Sequence, residues 1–142
     1  MGYTNYWDIN LSKKEFSPSI INKVKKILST YEKIYSESIV KGFFNLDEKP
    51  TVSKDFIHFN SNSDKTGEDF FFSFNGYLDS FCKTGRENYD AAVKAVLMVM
   101  KSEGYITNWS FDGRVEDNEY DAGIKLLAKA GIKYNERMKA ED

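Results

Sequence analysis

Residues 88–101, Asn88-Tyr89-Asp90-Ala91-Ala92-Val93-Lys94-Ala95-Val96-Leu97-Met98-Val99-Met100-Lys101, decide the fold class. Ala91, Ala92, Val93, Ala95, Val96, Leu97, Val99 and Met100 cover nearly the whole circumference of a helix. A helix that is apolar all round must be central and buried. Gly104 supplies its stop. What surrounds it must supply a core on every side.

Reading outward from this helix gives extended segments on both flanks. Ile106 to Asp112 reads as a strand, and Asp112-Gly113 as a turn. Asp117 or Asn118 then caps a last helix expected to run to about Arg137, with Glu119 and Asp121 placed to favour its dipole. On the N-terminal side, Tyr3 to Ile9 is a short aromatic-rich strand. Ser17-Pro18 starts a helix, since the serine hydroxyl caps and proline is preorganised for the first helical position. Ile21, Val24, Leu28, Tyr31 and Tyr35 recur at helical spacing, opposite a solvated face bearing Lys23, Lys25, Lys26 and Lys33. Gly42 is the expected stop. Phe43-Phe44 and Val52 to Asn60 look extended. Asp69 to Phe74 forms a hairpin with the latter across the polar stretch 61–67, with Phe70, Phe72 and Phe74 on one face and Phe71 on the other. The order predicts one α+β domain over residues 1–142: a mostly antiparallel sheet packed with about three helices.

Composition narrows the function classes. The chain has 142 residues, is 41% apolar, and carries 11 Phe, 9 Tyr and 2 Trp. A core this small cannot hide all those rings, so some are expected on the surface or in a cleft, where exposed apolar area marks a ligand or partner. The net charge of −2 argues against general DNA or RNA binding, which relies on a basic excess. A single cysteine, Cys82, allows no internal disulfide, and one histidine, His58, is too few for a zinc cluster. The longest apolar run, Ala95 to Met100, is too short to span a bilayer. No leader peptide is visible, so an intracellular protein is expected.

The segment most suggestive of chemistry precedes the central helix: Phe81-Cys82-Lys83-Thr84-Gly85-Arg86, then Tyr89-Asp90. Helix N-termini favour anions. Arg86 suits bidentate contact with phosphate and Lys83 supplies a mobile point charge. Thr84 offers a hydroxyl and Gly85 a close backbone approach. Phe81 or Tyr89 suits stacking on a base, and Asp90 or Asp112 suits ribose hydroxyls. The plainer reading stands beside it: Lys83 and Arg86 as surface charges, Asp90 as a dipole partner, Tyr89 as core. The segment is not a P-loop, lacking the glycine-lysine-serine/threonine ending. Cys82 as a nucleophile would need a base that nothing in the sequence places beside it.

These residues, with Gly2-Tyr3-Thr4-Asn5-Tyr6-Trp7 at the start and the Ser110-Phe111-Asp112-Gly113 turn, resemble small phage-encoded proteins, in particular the Thoeris anti-defence sponge proteins. The resemblance spans nearly the whole chain in motif order and is thinnest between Lys14 and Phe74. It implies a homodimer or higher homo-oligomer in the host bacterial cytoplasm that sequesters a TIR-generated cyclic ADP-ribose isomer without cleaving it, with no cofactor and no metal. It implies that Lys83, Thr84, Arg86 and Arg114 meet the pyrophosphate, Asp90 or Asp112 the riboses, and Phe81 or Tyr89 the adenine. A second site for cyclic oligonucleotides also occurs in such proteins. The alternatives are an enzyme that cleaves a cyclic nucleotide signal and a protein-interaction inhibitor of a defence enzyme.

Overall fold

The computed structural model describes residues 2–74 and 80–141. Over these residues it is a single α+β domain with two antiparallel sheets and three α-helices. The first sheet has the order β6-β1-β7, formed by β1 (Thr4–Ile9), β6 (Phe81–Lys83) and β7 (Ile106–Phe111). In it Tyr6 sits between Phe81 and Ser110. The second sheet is built on β4 (Phe56–Ser61), which pairs with β2 (Ile39–Val40), β3 (Thr51–Val52) and β5 (Phe70–Ser73).

The central helix is α2 (Asp90–Ser102), and every residue from Asp90 to Met100 is buried. It lies against β1 and β7 and is flanked by α1 (Pro18–Tyr35) and α3 (Asn118–Lys129). That placement is what a helix apolar on all sides requires. Small residues permit the closeness: a Cβ at Gly123 would come within 3.0 Å of the Lys94 Cβ.

Four boundaries depart from expectation, each for a local reason. The helix α1 begins as read, with the Ser17 hydroxyl accepting from the Ile20 amide, but ends well before Gly42 because Ser36 takes a left-handed conformation (φ 55°). Phe43-Phe44 lies in a turn rather than a strand, closed by the Asn45 amide on the Gly42 carbonyl. The helix α3 stops near Gly131 (φ 79°), and the chain runs on to a 3-10 turn, Glu136–Met138. Phe81–Lys83, read as loop, is a strand paired with β1.

Both lateral edges of the first sheet are occupied. Along β6, the Glu68 amide donates to the Lys83 carbonyl at 2.8 Å, and the Lys83 amide to Glu68 Oε1 at 2.8 Å. Along β7, the Glu141 amide donates to the Trp109 carbonyl at 2.8 Å. The Trp109 indole N–H donates to the Met138 carbonyl, and Trp109 stacks on Tyr120.

Candidate functional site

Strand β6 delivers the 81–86 segment to the domain surface with alternating sides. Cys82 points inward and is fully buried, while Phe81 and Lys83 point out. The chain then passes through two successive left-handed residues, Gly85 and Arg86, each at φ 64°. This reversal sends the two cations to different places. Lys83 lines an open cleft of about 830 Å³ together with Phe81, Thr84 and Gly85. Arg86 borders a separate small hollow, pairs with Glu119 at 3.2 Å, and lies 4.3 Å from the centre of the Tyr3 ring.

The remaining cleft walls come from segments that the sequence reading did not assign to the site. Phe43 and Phe44 project from the turn after β2, with Phe44 90% exposed. Lys65 to Asp69 and Phe71 come from the β4–β5 hairpin. The only signal for them was the Phe43-Phe44 pair itself, too apolar for an ordinary surface turn. Three rings, Phe43, Phe44 and Phe81, are thus solvent-facing around one hollow whose lining also includes Lys65 and Lys83. Glu68, Asp69 and Glu87 supply carboxylates on the same lining.

Tyr89 braces the cleft from behind, bonding residues that line it. This residue is fully buried, and its hydroxyl donates to the Glu68 carbonyl at 2.7 Å. Its ring therefore cannot stack on a base, which corrects that expectation; Phe81 keeps the role open. Burial, with Cys82 close by, pushes the Tyr89 phenol far above its ordinary range.

The expected anion cradle at the mouth of α2 is likewise corrected. The Asp90 and Ala91 amides already donate to the Glu87 and Asn88 carbonyls. The negative charge favoured at a helix start is supplied by Asp90 itself, which is buried. Asp90 accepts from Asn5 Nδ2 at 2.8 Å, from the Thr84 hydroxyl at 2.7 Å and from Lys94 Nζ at 2.6 Å. Asp90 is therefore closed to ribose, and Thr84 borders the cleft with its hydroxyl turned inward. Lys94, fully buried, also donates to Asn5 Oδ1 at 2.9 Å and sits over the Tyr3 and Phe111 rings. Burial pushes its ammonium below its ordinary range, against the pull of Asp90.

Asp112 and Arg114 lie at the β7–α3 turn and do not line the cleft. Asp112 accepts from the Thr4 amide and the Tyr6 hydroxyl, and the Arg114 amide donates to Asp117. The Cys82 thiol donates to the Glu68 carbonyl, and burial pushes it far up, so it is not a thiolate nucleophile. His58 is engaged by Asp69 at 2.8 Å. Among the described residues no cluster of potential metal ligands occurs. No family model, no curated protein and no solved structure matches this chain.

Proposed function

We propose that the chain binds a nucleotide-like signal of the cyclic ADP-ribose type in the aromatic cleft and holds it without cleavage. The observation that carries this reading is the convergence of Phe43, Phe44 and Phe81 with Lys65 and Lys83 around one hollow. Aromatic faces bind bases whatever their hydrogen-bonding edge, and lysines neutralise phosphate oxygens as point charges. Glu68 and Glu87 then accept from ribose hydroxyls. The cleft volume lies within the range of small-molecule sites. A sequestering protein needs tight ground-state binding, whereas an enzyme must favour the transition state. The resemblance to anti-defence sponges gives this reading its biological sense: a phage protein acting in the host bacterial cytoplasm, assembled as a homo-oligomer.

Calorimetry and chromatography test it together. A cyclic ADP-ribose isomer binds, and is recovered intact after heat denaturation of the protein. Phe81→Ala and Lys83→Ala each weaken affinity about tenfold, the scale of one lost stacking or charge-assisted contact. Arg86→Ala changes it by less than about twofold, because Arg86 serves Glu119 and Tyr3. Recovery of a hydrolysed product rejects sequestration in favour of cleavage.

The 90% exposure of Phe44 favours a second reading, a docking site for a protein. A captured protein partner, with no thermal shift from any nucleotide, selects it.

A further inference from the structure

We infer that Asp69 is a positioning residue, which together with His58 and Gly42 forms the seat of the aromatic turn and aims Phe43 and Phe44 at the cleft. Its ligand-binding consequence rests on the nucleotide reading above; the seat itself does not.

The turn is closed on itself. The Lys41 amide donates to the Glu48 carbonyl, that of Asn45 to Gly42, and that of Glu48 to Asn45. These bonds shape the turn but do not orient it on the domain. Its large apolar side chains contribute little to that end, because Phe43, Phe44 and Leu46 are all more than half exposed. The Phe43 amide, however, donates to Asp69 Oδ1 at 2.8 Å. The same carboxylate accepts from Asn60 Nδ2 at 2.8 Å and from His58 Nε2 at 2.8 Å. Asn60 is fully buried and His58 belongs to β4, so the carboxylate is held by the hairpin before the turn meets it. The turn backbone then lies directly on the pair. A Cβ at Gly42 would collide with Asp69 Oδ2 and come within 3.1 Å of His58 Nε2. Asp69 also lines the cleft, so one carboxylate couples the hairpin wall to the aromatic wall.

Two variants of the full chain disturb the seat by different routes. Asp69→Ala removes the acceptor, and Gly42→Ala leaves the charge but lifts the backbone. Without ligand, amide exchange of Phe43 measured by NMR accelerates at least tenfold in both, as expected for loss of a hydrogen bond to a charged group. Asp69→Asn, which keeps one oxygen for the amide, falls between. Unchanged Phe43 exchange in Asp69→Ala and Gly42→Ala overturns the seat. With a cyclic ADP-ribose isomer as probe, Asp69→Ala weakens binding about tenfold in the parent and adds no loss in a Phe43→Ala Phe44→Ala background. An equal loss in both backgrounds overturns the aiming of the rings. If the parent binds no nucleotide, the functional reading fails while the exchange arm still decides the seat.

Discussion

Lys94 Nζ lies 2.6 Å from Asp90 Oδ2, one turn apart on the central helix, with the lysine side chain wholly out of water. The pair is completed by Asn5 from β1 and Thr84 from the loop after β6. It therefore ties the helix to β1 and to the loop after β6. Removing one partner of such a pair leaves an uncompensated buried charge.

Lys94→Met is accordingly expected to cost about 3–5 kcal/mol of folding stability. Asp90→Asn combined with Lys94→Met recovers a large part of that loss, since the Asn5 and Thr84 donors keep an acceptor. Urea denaturation of the two variants measures this. A single-variant loss below about 1 kcal/mol would show that the pair contributes little.

Stability is expected to collapse at alkaline pH. Burial raises the phenols of Tyr3, Tyr31, Tyr89 and Tyr120 above the ordinary value of 10.0, and the Cys82 thiol above 9.0. A group raised on folding holds its proton longer in the native state. Its contribution is thus complete below the unfolded value and is lost as pH rises beyond it. At the acid end the sign reverses. Burial opposes ionisation of Asp69, but bonds from His58, Asn60 and the Phe43 amide outweigh it and lower its pKa below the ordinary 3.8. Glu37 is lowered below 4.5 in the same way, burial being outweighed by Tyr31, Asn88 and Ser61. Their contributions are present above those ordinary values and are lost as pH falls through the depressed ones. Melting temperatures followed by circular dichroism are expected to plateau between the two regimes; a profile still flat well above pH 10 contradicts the burial of these phenols.

Gly67→Ala is expected to destabilise the fold by about 1–3 kcal/mol, the usual cost of overpacking. Its Cβ would strike the Lys83 carbonyl and come 2.7 Å from the Tyr89 hydroxyl. Because Gly67 and Lys83 both line the cleft, ligand affinity is expected to fall with stability. Gly85→Ala is the contrast: a Cβ there meets nothing within 4 Å, so only the left-handed backbone is penalised, by about 1–2 kcal/mol. Thermal melts that rank the two in the reverse order would contradict the packing at Gly67.

The central helix was legible because its pattern depends on composition alone, and residues 90–100 are buried as that pattern requires. The Ser17-Pro18 start and the β4–β5 hairpin were legible because capping and turn chemistry are local. Strand β6 was not. Three residues carry no periodicity, and Phe81–Lys83 is a strand only because β1 is there to pair with it. The site was half legible for the same reason. Phe81 and Lys83 face the cleft as outward residues of that strand, but the parting of Arg86 from Lys83 depends on two left-handed residues, one of them not a glycine. Tyr89 and Asp90 looked available because sequence does not reveal that Glu68, Asn5 and Lys94 claim them.

The four residues from Met138 to Glu141 form a selvedge on the first sheet. Without the Glu141 amide on the Trp109 carbonyl, and the Trp109 indole on Met138, the outer rim of β7 would offer unpaired backbone to any extended chain in a crowded cell. Cutting the chain before Met138 is therefore expected to lay that rim open to strand addition, and not merely to loosen the fold.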